Sequence, residues 1–440
     1  MKTKNRVKFI AVNCCRLIVS LAFIFSGFVK AVDPLGTQYK IVDYLIALNI
    51  EGYVPDWLTL SVSVLLSALE FCLGVFLLLA MHRRFCAKLA TWFMGVMLLV
   101  TLWLVVANPI QDCGCFGDAV KLSNTQTFVK NLILMAATLV VCRWPYVMPR
   151  FISIGNQWIA INYTIVYILA TSVVSLYFLP SFDFRPYHVG ANIREGMQIP
   201  EGAPQPQFET TFLMEKDGVR KTFSLENYPD TTWTLIDSET KQISEGYVPP
   251  IHDFFIEDKR TGDDLTEDIL ADKGYTFLLV APHLETASES NFGDIDYIYE
   301  YAQEHHYAFY CLTASDMPAV ERWKDLTGAE YPFCTTDEIT LKTIIRSNPG
   351  LLLIKDGTVL RKWSHNDLPQ AEQLTEPLEK SELGQMDTTT TGARLLKVFL
   401  WFALPLILLG LTDRLWAWTG WIRRNKESYK INQLLNKKKS

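Results

Sequence analysis

Six separated apolar stretches constrain this chain more than any other feature of its sequence. A helix needs about 20 mostly apolar residues to cross a bilayer. We therefore predict membrane-spanning helices at 16–32, 58–80, 85–107, 128–142, 158–179 and 395–411. The first stretch follows a basic start, as in a signal peptide. No small-residue cleavage site follows it, so we interpret it as a retained helix.

Four groups of basic residues fall on one side of these stretches if the six helices alternate across the membrane. They occupy the N-terminal arm, the turns at 82–88 and 143–150, and the tail after 411. Loops rich in Lys and Arg stay in the cytoplasm. We therefore expect a bacterial inner-membrane protein with both termini cytoplasmic and 33–56, 111–118 and the large segment 182–392 periplasmic. The bilayer is one partner, and a net charge of −6 gives no indication of nucleic-acid binding.

The loop at 111–118 reads Gln-Asp-Cys-Gly-Cys-Phe-Gly-Asp and carries the clearest chemistry. Cys113 and Cys115 form a compact dithiol, and a disulfide between them would close a small, strained and therefore labile ring. We predict a redox pair, with a structural disulfide or two idle thiols as alternatives. The acidic neighbours Asp112 and Asp118 should raise the pKa of both thiols. The sequence contains no convincing metal-ligand set here.

Glu70 lies inside the second apolar stretch, where an ionisable side chain is costly and tends to face the bundle interior. Three roles stay open for it: a proton relay, a polar contact for a ligand, or a hydrogen bond in helix packing. Lys30 ends the first stretch. We expect its side chain to extend to the membrane interface rather than to pair with Glu70.

Beyond the fifth stretch the pattern changes to that of a soluble module. Segments 208–214 and 221–225 flank Asp217-Gly218, a hairpin signal. A second hairpin is expected at 232–237 and 241–247.

From 276 onwards, strands and helices alternate. Expected strands lie at 276–281, 307–313, 331–335, 351–355 and 359–363, and expected helices at 294–305, 318–326 and 338–346. Alternation of this kind implies a parallel sheet with crossover helices, here ending in an antiparallel hairpin.

Three blocks in the membrane part carry a family resemblance. They are 23–30 (Phe-Ile-Phe-Ser-Gly-Phe-Val-Lys) before Asp33-Pro34, 69–74 (Leu-Glu-Phe-Cys-Leu-Gly) and 113–117 (Cys-Gly-Cys-Phe-Gly). In these blocks the chain resembles the DoxX-like superfamily, in the branch around the methylamine-utilisation protein MauE. The resemblance implies a four-helix membrane bundle and a part in maturing a disulfide-bearing periplasmic enzyme. This chain is longer by two helices and a soluble domain, so the client need not be the same.

A second resemblance covers 251–368. The strand at 276–281 and the run Ser-Asn-Pro-Gly-Leu-Leu-Leu-Ile-Lys-Asp-Gly at 347–357 are similar to thioredoxin-like folds. The resemblance implies that Pro349 follows a cis peptide bond and faces the redox site. Where those folds carry Cys-x-x-Cys, 282–288 reads Pro-His-Leu-Glu-Thr-Ala-Ser, so we expect binding rather than exchange.

Cys311 and Cys334 fall in neighbouring expected strands of this domain. In peroxiredoxin-like variants of the fold those strands pair, so a second disulfide is one interpretation in an oxidising compartment. Two buried thiols are the favoured one, because the register of the strands is unknown.

The sequence thus predicts a multi-domain membrane protein: an α-helical bundle of six transmembrane helices, four of them DoxX/MauE-like, plus an α/β thioredoxin-like soluble domain. The parts are a four-helix domain at 1–150, a fifth helix at 151–181, a linker and small β module at 182–250, the α/β domain at 251–369, a tether at 370–392, and the sixth helix with a basic tail at 393–440.

Three functions fit this organisation. The first is thiol–disulfide exchange by Cys113 and Cys115 on a periplasmic client, an oxidoreductase-like activity. The second is a non-catalytic scaffold or assembly factor whose thioredoxin-like domain binds a partner. The third is binding of a quinone or another lipophile in the bundle, with Glu70 as its polar contact.

Overall fold

The computed structural model describes residues 2–110, 112–204, 207–216, 219–224, 233–244, 246–386 and 391–437. The chain divides into two compact units. One comprises Met1–Arg185 with Thr388–Ser440, and the other comprises Pro186–Asp387.

The first unit is helical. Its N-terminal helices are α1 (Lys2–Val32), α2 (Pro34–Ala47), α3 (Asp56–Leu78), α4 (Arg83–Ala107), α5 (Asn124–Arg143) and α6 (Gln157–Tyr177). Among the described residues, six helices are long and apolar enough to cross a membrane: Asn5–Val32, Asp56–Leu78, Arg83–Ala107, Asn124–Arg143, Ile154–Tyr177 and Gly392–Trp416. These six overlap the six predicted stretches, although the first begins 11 residues earlier than predicted and the second and fifth end two residues earlier.

Two glycines allow α1 and α3 to pack against each other at close range. A Cβ atom on Gly27 would overlap the backbone of Phe71, and one on Gly74 would lie 2.7 Å from the backbone nitrogen of Ile24. Small residues at a helix contact allow such close approach inside a membrane. As a result, polar side chains on neighbouring turns of the two helices lie within hydrogen-bonding distance.

Helix α2 has a well-capped N-terminus. Asp33 accepts a hydrogen bond of 2.9 Å from the backbone nitrogen of Gly36, and Pro34 occupies the first helical position. The helix is held on α3 by the Gln38 amide, which donates to the Thr59 hydroxyl over 3.0 Å. This packing fixes the position of the side chains further along α2.

The second unit contains the short helices α7 (Ile193–Met197) and α8 (Thr266–Leu270), followed by α9 (Phe292–Glu304), α10 (Met317–Thr327) and α11 (Glu338–Ile344). Its strands are β1 (Gln207–Lys216), β2 (Val219–Ser224), β3 (Thr234–Ser244), β4 (Glu257–Asp258), β5 (Tyr275–Val280), β6 (Ala308–Thr313), β7 (Phe333–Thr335), β8 (Gly350–Lys355) and β9 (Thr358–Ser364).

A small sheet has the order β2-β1-β3, with both strand pairs antiparallel. The first predicted hairpin is present, although its turn residues Asp217 and Gly218 lie outside the described residues. The second predicted hairpin is wrong, because β3 runs as one strand along β1. Its expected turn region, 238–240, reads Ser-Glu-Thr and has no residue suited to a tight turn.

The larger sheet has the order β4-β7-β6-β5-β8-β9. Strands β5, β6 and β7 are parallel, and β8 and β9 complete the sheet as an antiparallel hairpin. The predicted alternation is therefore confirmed. Every residue of β5 is buried, and Phe277 and Leu279 pack with Leu351 and Leu353 of β8 in the core.

The C-terminal helix α12 (Thr391–Lys437) belongs to the first unit and contains Pro405. Proline has no N–H, so the carbonyl of Trp401, four residues earlier, loses its helical donor. The Tyr163 hydroxyl donates to that carbonyl over 2.6 Å. Further along α12, the Asp413 carboxylate accepts a hydrogen bond from the backbone nitrogen of Ser153 over 2.6 Å. These bonds connect α12 to α6 and to the segment before it.

Candidate functional site

The two thiols of the loop between α4 and α5 face each other. The sulfur atoms of Cys113 and Cys115 lie 2.8 Å apart, and both thiols are free. This distance is longer than the bond of about 2.05 Å in a disulfide. The turn depends on Gly114, whose φ of +64° is one that side-chain-bearing residues rarely adopt. The loop therefore holds two thiols that can form a disulfide with little movement of the backbone.

The ends of this loop are tied together. The Asn124 amide donates to the Asn108 side-chain oxygen over 2.9 Å and to the carbonyl of Ile110 over 2.8 Å. Ser123 and Gln126 form a capping box at the start of α5. Gln111 lies outside the described residues.

Helix α2 supports the loop from one side. The Tyr44 hydroxyl donates to the carbonyl of Cys113 over 3.2 Å, and Lys40 lies 3.4 Å from the carboxylate of Asp112. Asp112 also accepts from the backbone nitrogen of Gly114 over 3.0 Å. The Asp112 carboxylate next to the thiols is therefore paired with the Lys40 ammonium and accepts a hydrogen bond from the Gly114 amide.

An ion pair lies beneath the loop in the bundle interior. Lys30 Nζ is 2.7 Å from Glu70 Oε1, and each side chain is 4% exposed. The expectation that Lys30 extends to the interface is therefore wrong. The close packing of α1 on α3 at Gly27 and Gly74 brings the ammonium to the carboxylate, where pairing offsets the desolvation of both charges.

Ser26 connects this pair to the loop. Its Oγ lies 2.6 Å from Glu70 Oε2 and 2.7 Å from the carbonyl oxygen of Cys115. The Ser26 hydroxyl therefore contacts both Glu70 and Cys115. Sequence reasoning identified Glu70 and Cys115 separately and did not place Ser26 between them.

The space around Glu70 is small. A cavity of about 30 Å³ is lined by Ser26, Lys30, Glu70, Cys115 and Lys130, with Asn131 and apolar residues completing its wall. A space of this size is large enough for one or two water molecules. The role of Glu70 as a polar contact for a quinone stays a prediction.

A larger groove of about 600 Å³ lies between α1 and α5. Its lining is apolar apart from a few residues that include Lys130, whose ammonium lies 4.0 Å from the centre of the Phe116 ring. Glu70 does not line this groove.

The two thiols differ in acidity. The hydrogen bond from Cys115 lowers the pKa of Cys113 to about 6, against the effect of burial, with help from Tyr44, Lys30 and Lys130. The same hydrogen bond, together with burial, raises the pKa of Cys115 well above its usual value. The expectation that the neighbouring acids make both thiols less acidic is therefore wrong for Cys113. A thiolate next to a thiol is the arrangement that attack and resolution require.

The second unit has no comparable thiol pair among its described residues. The Asn348–Pro349 peptide bond is cis. The Asn348 amide donates over 2.8 Å to the carbonyl of His283, a residue of the 282–288 segment that lacks cysteine. The His283 ring lies 2.9 Å from a carboxylate oxygen of Glu338. The 282–288 segment therefore forms hydrogen bonds to neighbouring residues and carries no thiol.

Cys311 and Cys334 are both free and buried. Cys311 is paired across the sheet with Phe333, so Cys334, the next residue, points to the opposite face. A disulfide between them is therefore not formed. Burial raises the pKa of Cys334 to about 12, and the pKa of Cys311 is raised as well, as expected for unreactive thiols.

Comparison with known proteins gives two family matches. Residues 8–144 match the family described as Methylamine utilisation protein MauE, and residues 208–245 match a domain of unknown function, DUF8463. The first match includes the whole thiol loop and the Lys30–Glu70 pair. With the six apolar helices, it indicates a membrane protein with a MauE-like N-terminal part. No curated protein matches the chain.

One similar solved structure is the "Solution structure of a putative protein disulfide isomerase from Bacteroides thetaiotaomicron". It is 16% identical, the match covers 27% of this chain and 78% of that chain, and the TM-score is 0.22.

Proposed function

We propose that this chain is a membrane-embedded thiol–disulfide exchange protein in which Cys113 is the attacking thiolate and Cys115 the resolving thiol. The observation that carries the proposal is the facing thiol pair, with sulfurs 2.8 Å apart and the pKa of Cys113 lowered to about 6. The MauE match agrees with it, because the resemblance to that branch implies a role in maturing a disulfide-bearing enzyme.

The exchange has two balanced steps. The Cys113 thiolate attacks a client disulfide, a Cys113–client bond forms, the client bond breaks, and one client thiolate leaves. Cys115, having lost its proton, then attacks the Cys113 sulfur and releases the second client thiolate. Two electrons pass to the client, whose thiolates take up the two protons that the pair releases. In reverse the same steps oxidise the client, and the reduction potentials decide the direction.

The distribution of basic residues supports a periplasmic location for the thiol loop at 111–118. The protein would then lie in a bacterial inner membrane with both termini in the cytoplasm. The thioredoxin-like unit then lies on the same side of the membrane. Its described residues include no exposed thiol, so its part is to bind the client. Joining a binding unit and a redox pair on one chain raises the local concentration of the client.

Trapping of a mixed disulfide tests the proposal. Cys115→Ser leaves Cys113 without its resolving partner, so the full-length variant should accumulate a disulfide-linked complex that reducing agent dissolves. Cys113→Ser should accumulate much less, and Cys72→Ser, a buried thiol of α3, should behave as wild type. If Cys115→Ser forms no mixed disulfide with any protein under reducing or oxidising growth, the exchange function is lost.

A second candidate is a non-catalytic assembly factor. It is favoured by the sheet unit, where the segment after β5 lacks cysteine and Cys311 and Cys334 are buried. A client that crosslinks to this unit equally well in a Cys113→Ser Cys115→Ser double variant, without any change in the client's disulfide state, would support the scaffold role.

A further inference from the structure

The exchange requires that Cys115 lose its proton before it attacks Cys113. We propose that Glu70 receives this proton inside the bundle, with Ser26 and the small cavity as the route. This inference rests on the proposed function and assigns a proton acceptor to it.

The first support is the hydrogen-bonding capacity of Ser26. Its Oγ is 2.6 Å from Glu70 Oε2 and 2.7 Å from the carbonyl oxygen of Cys115. A hydroxyl has one proton, and neither a carboxylate nor a carbonyl oxygen donates. In the ion pair, where Glu70 is a carboxylate, Ser26 donates its proton to one of the two oxygens. When Glu70 Oε2 takes up a proton it can donate to Ser26, whose own proton is then free for the Cys115 carbonyl, so both contacts persist after the transfer.

The second support is the cavity that joins the thiol to the carboxylate. Cys115, Ser26 and Glu70 line the same space of about 30 Å³. That space is large enough for a water molecule, which can bridge groups that do not touch directly.

The third support is the charge balance around Glu70. Among the groups that line the cavity, the charged and titratable ones are Lys30 from α1, Glu70 from α3, Cys115 from the loop and Lys130 from α5. Helix α4 contributes only Phe93, Met94 and Met97. A proton that moves from Cys115 to Glu70 leaves a thiolate facing two lysines, and the net charge of the cavity does not change. Lys30 keeps its 2.7 Å contact with Oε1 while Oε2 holds the proton.

The S–H bond of Cys115 breaks and an O–H bond forms at Glu70 Oε2. The Cys115 thiolate then forms the bond to Cys113, and the client thiolate leaves with the electron pair of the mixed disulfide. Glu70 afterwards passes its proton to solvent or to the leaving thiolate and returns to its ionised form.

The two steps can be followed separately with dipyridyl disulfide, which releases one coloured thione at attack and a second at resolution. The full-length protein is used in a background where Cys14, Cys15 and Cys142, which are not buried, are serine. In Glu70→Gln the first release should be unchanged and the second slowed roughly 100-fold, as on loss of a positioned base. Its rate should then rise with pH, because solvent must remove the proton.

Ser26→Ala provides an independent variant that keeps the Lys30–Glu70 pair intact, and it should slow only the second release. Ser67→Ala is the matched control, because this buried serine lies one turn before Glu70 and donates to its own helix at the carbonyl of Val64 over 2.8 Å. If the second release keeps its wild-type rate in both Glu70→Gln and Ser26→Ala, the relay is overturned while the exchange function stands. If the wild type itself gives no second release, both are lost.

Discussion

Lys30 and Glu70 bring opposite charges from two helices to within 2.7 Å at a depth where each side chain is 4% exposed. The pair lies under the thiol loop and connects to it through Ser26. In the proposed account it supplies cationic charge for a thiolate and a carboxylate for its proton.

Removing one partner of this pair should destabilise the protein more than removing both. Lys30→Met leaves a buried carboxylate unpaired and should lower the free energy of unfolding by about 3–5 kcal/mol. The double variant Lys30→Met Glu70→Leu should recover most of that loss. Denaturant unfolding in detergent measures both. Equal stability of the single variant and the wild type would contradict the buried pairing.

Gly114→Ala tests the turn that directs the two sulfurs at each other. The left-handed conformation costs a side-chain-bearing residue roughly 1–2 kcal/mol. The new Cβ would also lie 3.0 Å from the Lys40 side chain. Disulfide formation between Cys113 and Cys115 should slow several-fold in an oxidation time course. Gly155→Ala, where a Cβ meets nothing within 4 Å, should leave it unchanged.

Alkylation of the reduced protein should report the acidity of Cys113. Below pH 6 the thiol is protonated and unreactive, and above it the thiolate reacts, so the rate should rise through about pH 6 and level off near pH 8. Lys130→Met removes a positive charge near the thiolate and should move the midpoint to higher pH. A midpoint near 9 in the wild type would show that the hydrogen bond from Cys115 does not form.

Tyr163→Phe should weaken the attachment of α12 to α6. The lost hydrogen bond leaves the Trp401 carbonyl without a donor, at a cost of about 1 kcal/mol in a membrane. In Pro405→Ala the helix supplies its own N–H, so Tyr163→Phe should cost less in that background. A double-mutant cycle on thermal unfolding measures the difference, and additive effects would refute the compensation.

Features with a local signal could be predicted from the sequence. The six apolar helices, the parallel strands β5 to β7 and the closing hairpin follow from hydropathy and alternation, and Cys113 and Cys115 stand out as a motif. Lys30 was placed wrongly, because its pairing with Glu70 depends on a helix contact between residues 40 positions apart. The influence of Asp112 was overestimated, because Lys40 from α2 pairs with it.

The central claim is that Cys113 and Cys115 cycle between dithiol and disulfide. Membranes containing the full-length protein are equilibrated in a series of thiol–disulfide buffers, and the free thiols are counted with a mass tag. The account predicts that both thiols disappear together at one midpoint, reversibly, and that neither is lost in this way in Cys113→Ser or Cys115→Ser. A pair that stays fully reduced or fully oxidised across the whole series would contradict it.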